Sequence, residues 1–443
     1  MRPQAARPSG LAMTVILALV AVGCAPSEAG ISVMPGTSDG PSVAASSLPT
    51  AIEAARAELD HALARLEAIH PQPFHAVARA EFVAVLDELK ARLPELTPDE
   101  AAVELMRAWA MLSTERDGHQ FALPLEFDAE PILPIKVYEF ADGVFVTAAM
   151  APHADLVGAR LVAVGETPIG EVLDMLEPLV PRDNPATVAS FRPMYLLRAI
   201  VLRGLGIAGD GAVGLTVALD GEERSVELEP VPSSEHRAWA GWLALHGLAS
   251  REGLRHSQQG DPHFALETLQ DGRALYARFS RVQPVLAGAV DELRRLAADP
   301  RLERVVVDLR QNTGGDNTTY GNLLSALTQV ATDPPGSLFV LTDRVTFSAA
   351  ANFATRLEQQ TDARFAGEPM GGGLNFWNDV DWIELPEFVV PMRVAVSTRY
   401  WEMAEPDDPR LSIEPDLAVP VRAADYFAGR DVLLDAVLAG EAG

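Results

Sequence analysis

The chain has 443 residues, enough for two or three domains with real hydrophobic cores. Its 62 acidic residues outnumber 35 basic ones, giving a net charge of −27. That balance argues against nucleic acid or an anionic lipid surface as a partner, and without a run of like charges the acidity reads as a solvated surface.

The chain opens on an export signal. Arg2 and Arg7 form a basic start, Leu11 to Val22 is apolar, and Ala21-Val22-Gly23-Cys24 ends the segment. The apolar run is short for a membrane span, which needs about 20 residues. Cys24 is the only cysteine and follows small residues, a placement that resembles a bacterial lipobox and marks it for lipidation. No disulfide can then form within the chain. The expected location is the bacterial cell envelope, with membrane attachment through an N-terminal lipid anchor, facing the periplasm or the exterior. Residues 25–48, rich in Ser, Pro, Gly and Ala, read as a flexible tether.

A helical region is predicted over 49–119. Ile52, Leu59, Leu63, Leu66 and Ile69 recur at helical spacing, as do Phe82, Val85, Leu86 and Leu89. Thr97-Pro98-Asp99-Glu100 is a capping box with proline at the first helical position, opening a helix through Val103, Met106 and Trp109. Asp117-Gly118-His119 lies just past it. His61 and His70 fall on the first helical stretch and His75 follows a Pro-Gln-Pro-Phe turn; all three read as surface or packing residues.

From 120 to 232 the pattern changes to short strands and turns, a small β-rich domain. Gly158 to Pro168 is similar to the core of a PDZ-like module, which binds a peptide end; a β-domain without a binding role is the simpler reading. Gly204-Leu205-Gly206-Ile207-Ala208-Gly209 fits the dinucleotide spacing but follows a helix and precedes a strand, the wrong order for phosphate binding. Residues 233–261 read as a connector. His236, His246, His256 and His263 lie in irregular polar sequence without metal-ligand spacing.

The segment 262–443 carries the chemistry. Val305-Val306-Val307 suits a strand buried on both faces and runs into Gly314-Gly315, a turn whose N–H groups can aim at a substrate. Asp308 and Arg310 flank Leu309 and can tie the turn to its surroundings. Leu338 to Leu341 is a second strand, Thr346 reads as the N-cap of the following helix, and Ser348 falls in its first turn, where free N–H groups favour negative charge. Taken singly, a strand before Gly-Gly is an ordinary loop and a serine near a helix start is a cap. Together they supply what acyl transfer needs: an oxyanion hole and a nucleophile beside it. Arg116-Asp117-Gly118-His119-Gln120 offers a base.

The series Asp117-Gly118-His119, Asp308-Leu309-Arg310-Gln311-Asn312-Thr313-Gly314-Gly315 and Thr346-Phe347-Ser348-Ala349-Ala350 resembles the tail-specific, or C-terminal-processing, serine peptidase superfamily. It is closest to the tricorn-like branch, which includes the interphotoreceptor retinoid-binding protein repeats. Gly367 to Gly372, Val396 to Trp401 and Ile413 to Leu417 extend the match, which runs from about residue 50 onward. The resemblance implies an α/β fold, with a crotonase-like spiral core over 262–443, and a peptide or unfolded protein as substrate.

Many tail-specific proteases use lysine as base, in a Gly-Glu-Pro-Thr-x-Gly-Lys segment downstream of the serine. Here that segment reads Gly-Glu-Pro-Met-Gly-Gly-Gly, and the only lysines, Lys90 and Lys136, lie far upstream. Histidine is the natural replacement near neutral pH, and His119 alone of the nine carries the matching Asp-Gly pair. Tricorn-like enzymes add a serine beside this histidine and a distant glutamate. Gly118 stands where that serine would be; Glu402, Asp408 and Asp117 are the candidate acids, with Glu402 preferred because it follows the Tyr400-Trp401 strand end. The resemblance therefore implies His119 as base, Ser348 as nucleophile, and an oxyanion hole from Gly314 or Gly315 with Ser348 or Ala349. No metal or organic cofactor is implied. Two alternatives keep the same fold: a catalytically retired peptide- or lipid-binding lipoprotein, and a serine hydrolase of non-peptide esters.

Overall fold

A computed structural model describes residues 48–240, 247–257, 263–330 and 337–440. The export signal, Cys24 and the tether up to residue 47 lie outside these residues, as does His246. Among the described residues no helix is long and apolar enough to cross a membrane.

The helical region forms as α1 (Leu48–Ile69), α2 (Arg79–Arg92) and α3 (Pro98–Ala110). Their predicted stripes are the buried faces: Ile52, Leu59 and Leu66 on α1, Phe82, Leu86 and Leu89 on α2, Val103, Met106 and Trp109 on α3. The capping box on α3 is complete: Thr97 Oγ1 accepts from Glu100 N, and Glu100 Oε2 accepts from Thr97 N at 2.7 Å. The longer strands that follow in chain order include β1 (Ala122–Pro124), β2 (Ile135–Phe140), β3 (Gly143–Ala149), β4 (Arg160–Val164) and, beyond helix α4 (Pro185–Leu196), β5 (Val213–Leu219). With β6 (Glu222–Leu228), strands β2 to β5 make an antiparallel sheet ordered β2-β3-β4-β5-β6.

The second sheet is the α/β part. Its strands are β7 (Phe264–Leu269), β8 (Ala274–Phe279), β9 (Arg304–Asp308), β10 (Leu338–Thr342) and β11 (Arg364–Gly367), with the crossover helices α5 (Ala287–Ala297), α6 (Gly321–Val330) and α7 (Ala349–Gln360) between them. A long hairpin, β12 (Asn375–Leu385) and β13 (Met392–Glu402), precedes the short strand β14 (Leu417–Ala418). The sheet order is β7-β8-β9-β10-β11-β14, antiparallel at the β7 edge and parallel elsewhere. Val305, Val306 and Val307 are buried, as a central parallel strand requires. Open parallel sheets hold ligands at the carboxyl ends of their strands; here β9 runs out into Gly314-Gly315 and β10 into Ser348.

The helical and β-rich regions are joined more closely than separate domains over 49–119 and 120–232 would be. One core holds residues of α1, α2 and α3, of the antiparallel sheet, and of the hairpin, including Ile383, Met392 and Val394. The short β1 pairs with β13 rather than with the antiparallel sheet. Trp109, fully buried, donates from Nε1 to the Ala395 carbonyl at 2.8 Å, so α3 is fixed to the hairpin that carries the far wall of the site.

Candidate active site

The nucleophile candidate sits on a sharp strand-to-helix turn. Ser348 immediately precedes α7 with φ 53° and ψ −126°. A non-glycine residue held there costs on the order of 1–3 kcal/mol and persists only where the surroundings impose it. The same strained turn exposes the serine of nucleophile elbows at the top of other α/β sheets. Thr346, expected as the N-cap, does something else: its Oγ1 donates to the Leu309 carbonyl at 2.9 Å, tying the β10 turn to the β9 turn. The helix therefore starts after Ser348, which occupies the cap position without using its side chain as a cap.

Glycine lets two chains press against this turn. A β-carbon on Gly314, at φ 103°, would lie 2.8 Å from Ser348 Cβ and 2.9 Å from Ala349 N; one on Gly372 would lie 2.5 Å from Ala351 Cβ. Below the turn, the Arg310 guanidinium bridges Asp308 and Asp431, with 2.8 Å bonds from its two terminal nitrogens to Asp431. Asp343 accepts from Gln311 N, Val345 N and Thr346 N, and its burial pushes its carboxyl pKa up. The expectation that Asp308 and Arg310 anchor the glycine turn matches this network.

The proposed oxyanion donors differ. Gly314 N–H donates to Asn312 Oδ1 at 2.9 Å, so it is not free for a substrate, and the role expected of it passes to its neighbours. Gly315 N–H and Ala349 N–H make no hydrogen bond among the described residues. The Gly314 carbonyl and Asp316 N–H both bond to Val282, which fixes the orientation of the peptide between them.

Ser348 is 7% exposed and His119 1%. The Ser348 hydroxyl accepts from Asn378 Nδ2, on β12, at 3.1 Å. The His119 ring stacks on Phe347, the residue before the serine, with centroids 4.6 Å apart, and on Phe376 at 5.8 Å. Neither ring nitrogen has a hydrogen-bond partner among the described residues. Burial lowers the imidazole pKa to about 3, against an opposing contribution from the Trp377 backbone. His119 is thus neutral and packed on the residue before Ser348, without a hydrogen bond to the serine.

None of the three candidate acids reaches His119. Glu402 is exposed at the end of β13, opposite Asn375. Asp408 pairs with Arg410, and its carbonyl takes Arg116 Nη2. Asp117 accepts from Ser397 Oγ at 2.6 Å and Gln120 Nε2 at 2.7 Å, and meets His70 Nε2 at 3.3 Å. His70 and His75, read from sequence as surface or packing residues, converge on this carboxylate.

The carboxylate that holds the backbone beside His119 is Asp183. It is fully buried and accepts from Gly118 N at 2.6 Å and Gly373 N at 3.0 Å, joining the histidine loop to the glycine loop after β11. Burial pushes its pKa up to about 7, against the two N–H bonds. Asn184 beside it caps α4 and gives its amide to the carbonyls of Met370, Gly371 and Gly372 at 3.1–3.3 Å. Asn184-Pro185 is legible as a helix start; that the same pair clamps a loop almost 190 residues away has no local signal.

No protein-family model and no curated protein sequence matches the chain. Among solved structures, mature CPAF complexed with lactacystin is similar with a TM-score of 0.60 at 14% identity, covering 89% of this chain and 99% of that one. A serine-to-alanine mutant of CPAF gives a TM-score of 0.60 at 14% identity, covering 88% and 97%. Mature CPAF without that ligand gives 0.55 at 13% identity, with the same coverage. Across nearly the full length of both molecules, the chain has the fold of mature CPAF.

Proposed function

We propose that the chain is a serine peptidase of the tail-specific superfamily, tricorn-like branch, acting on peptides or unfolded protein tails. The observation that carries this is Ser348: a strained serine at the carboxyl end of a parallel sheet, with the N–H groups of Gly315 and Ala349 unclaimed around it. In the reaction, Ser348 Oγ attacks the peptide carbonyl carbon while its proton passes to a ring nitrogen of His119. The oxyanion takes the Gly315 and Ala349 N–H groups, and His119 returns the proton to the leaving amine. Water then reverses the steps on the acyl-enzyme. His119 must turn toward Ser348 for this, and substrate entry that displaces the Phe347 stack provides the occasion; catalytic hydrogen bonds often tighten only with substrate bound.

A second reading is favoured by the same histidine. No carboxylate orients His119 and no bond joins it to Ser348, which suits a retired enzyme that binds peptide without cleaving it. Fluorophosphonate labelling separates the two. Wild-type protein should label on Ser348, and Ser348→Ala should not; wild-type protein that stays unlabelled from neutral to alkaline pH, while still binding peptides, would leave only the binder.

The chain's place in the cell envelope forms part of the proposal and rests on the sequence of residues 1–24. Cys24→Ala should move the protein from the membrane to the soluble fraction, and unchanged fractionation would exclude a lipid anchor at Cys24.

A further inference from the structure

Outside the Ser348–His119 pair, the histidines on either side of the turn after α1 meet the carboxylate two residues before His119. His70 and His75 stack with ring centroids 5.6 Å apart and planes 16° from parallel. One ligand atom from each of His70, His75 and Asp117 can be chosen so that all lie within 4.8 Å of one another. His70 and Asp117 are buried, whereas the His75 side chain keeps 14% exposure, an entry path.

The hydrogen bonds fix the tautomers. His75 Nδ1 lies 3.1 Å from the Gln72 carbonyl, so it carries the proton and donates. In the neutral ring its Nε2 presents a bare lone pair, which is buried and meets no donor. The nearest anion is Asp117 Oδ2, at 3.9 Å. A lone pair and a carboxylate oxygen facing each other in a buried space repel, and a cation between them removes the conflict. A backbone carbonyl holding the far nitrogen of a histidine is also the usual outer support of a metal ligand. His70 differs: its Nδ1 accepts from Gln72 N at 3.0 Å, so its proton sits on Nε2, 3.3 Å from Asp117 Oδ2.

We propose that His70, His75 and Asp117 bind one divalent transition-metal ion of the zinc class. Two imidazoles and one carboxylate suit zinc, cobalt or nickel and disfavour calcium and magnesium, which take oxygen ligands. Ligands at 2.0–2.1 Å on a tetrahedral ion stand about 3.3 Å apart, so the three side chains need only small inward turns. On binding, the His70 proton moves from Nε2 to Nδ1 with none released, and Gln72 N–H turns to water, Gln72 being exposed. The fourth position is left to water. The ion would brace Asp117 and with it the loop carrying His119, since Arg116 is tied through its carbonyl to Trp377 N at 2.7 Å. Trp377 also packs on both imidazoles, 4.5 Å from His70 and 5.8 Å from His75, and so supplies a reporter.

The test is titration of the chelator-stripped full chain with Co2+ and with Zn2+, read by cobalt visible bands, calorimetry and tryptophan fluorescence. One equivalent should bind, with a fluorescence change that Trp377→Phe removes. His75→Ala, at a partly exposed turn, should weaken binding by more than about 100-fold, beyond the 10–100-fold that losing an outer-shell partner costs. His70→Ala should do the same, and His61→Ala, on the exposed side of α1, should change nothing. Should His70→Ala fail to fold, His75→Ala and His75→Gln decide the matter alone. No uptake by the wild type, or uptake that survives both His75 variants, overturns the site. The readout is binding, so its failure leaves the Ser348 proposal untouched, and failure of Ser348 to label leaves the metal site untouched.

Discussion

The two halves of the candidate site are built to different degrees. Around Ser348 the chain is over-determined: a positive φ is held by the β9 and β10 turns, two glycines press against it, and Asn378 holds the hydroxyl. Around His119 the reverse holds. The ring is packed between phenylalanines, its nitrogens are unpartnered, and its carboxylate neighbours face other groups. In the proposed reaction, preorganisation around Ser348 and burial of a neutral His119 put the conformational step at the histidine.

The largest effect expected from breaking this asymmetry comes from the base itself. His119→Ala should lower peptide turnover by about 10³-fold or more, whereas Lys90→Ala and Lys136→Ala should leave it nearly intact. A lysine variant that abolishes turnover while remaining folded would place the base elsewhere.

The glycine turn gives a second contrast. At Gly315, φ is 147° and a β-carbon would come within 2.0 Å of the Val282 carbonyl oxygen, which is backbone and cannot turn aside. At Gly314 the obstacles are Ser348 Cβ and the backbone of Ala349 and Phe347. Both alanine variants should lose more than about 1 kcal/mol of stability by denaturant unfolding. Gly315→Ala should lose more, so its activity reports the fold rather than an oxyanion donor. Gly315→Ala as stable as the wild type would show that the turn is held less tightly than its contacts imply.

The smallest effect sharpens the link between the two halves. A buried carboxyl whose pKa rises from 3.8 to about 7 binds a proton in the folded chain over a range where the unfolded chain has released it. Stability from Asp183 is therefore fully present below about pH 4 and falls as pH rises toward 7, by on the order of a few kcal/mol. Asp183→Asn should flatten this dependence when unfolding is measured across that window. An unchanged slope would show that other groups set it.

Much of the scaffold was legible because its signals are local. The capping box at Thr97, the apolar stripes of α1 to α3, the valine run of β9 and the glycines after it each act through residues a few positions apart, and each forms as read. Ser348 and His119 were singled out by type and motif; the fold stacks the His119 ring on Phe347, the residue before Ser348, and leaves its nitrogens without a hydrogen bond. The misreadings share one cause. Thr346 looked like a cap because capping is a short-range habit, yet its hydroxyl is taken by Leu309, 37 residues earlier. His70 and His75 looked like packing residues because their partner Asp117 lies beyond two further helices.

Sequence alone thus determined the element types and the strand ends that could carry chemistry, since spacing and backbone preference act over one or two turns of chain. Tertiary structure decided which N–H groups stay free, which carboxylate ties the His119 loop to the loop after β11 and what faces Asp117. Those depend on contacts such as Gly118 with Asp183 and Ser397 with Asp117, across 65 and 280 residues, where burial leaves a polar group whichever partner the fold brings to it.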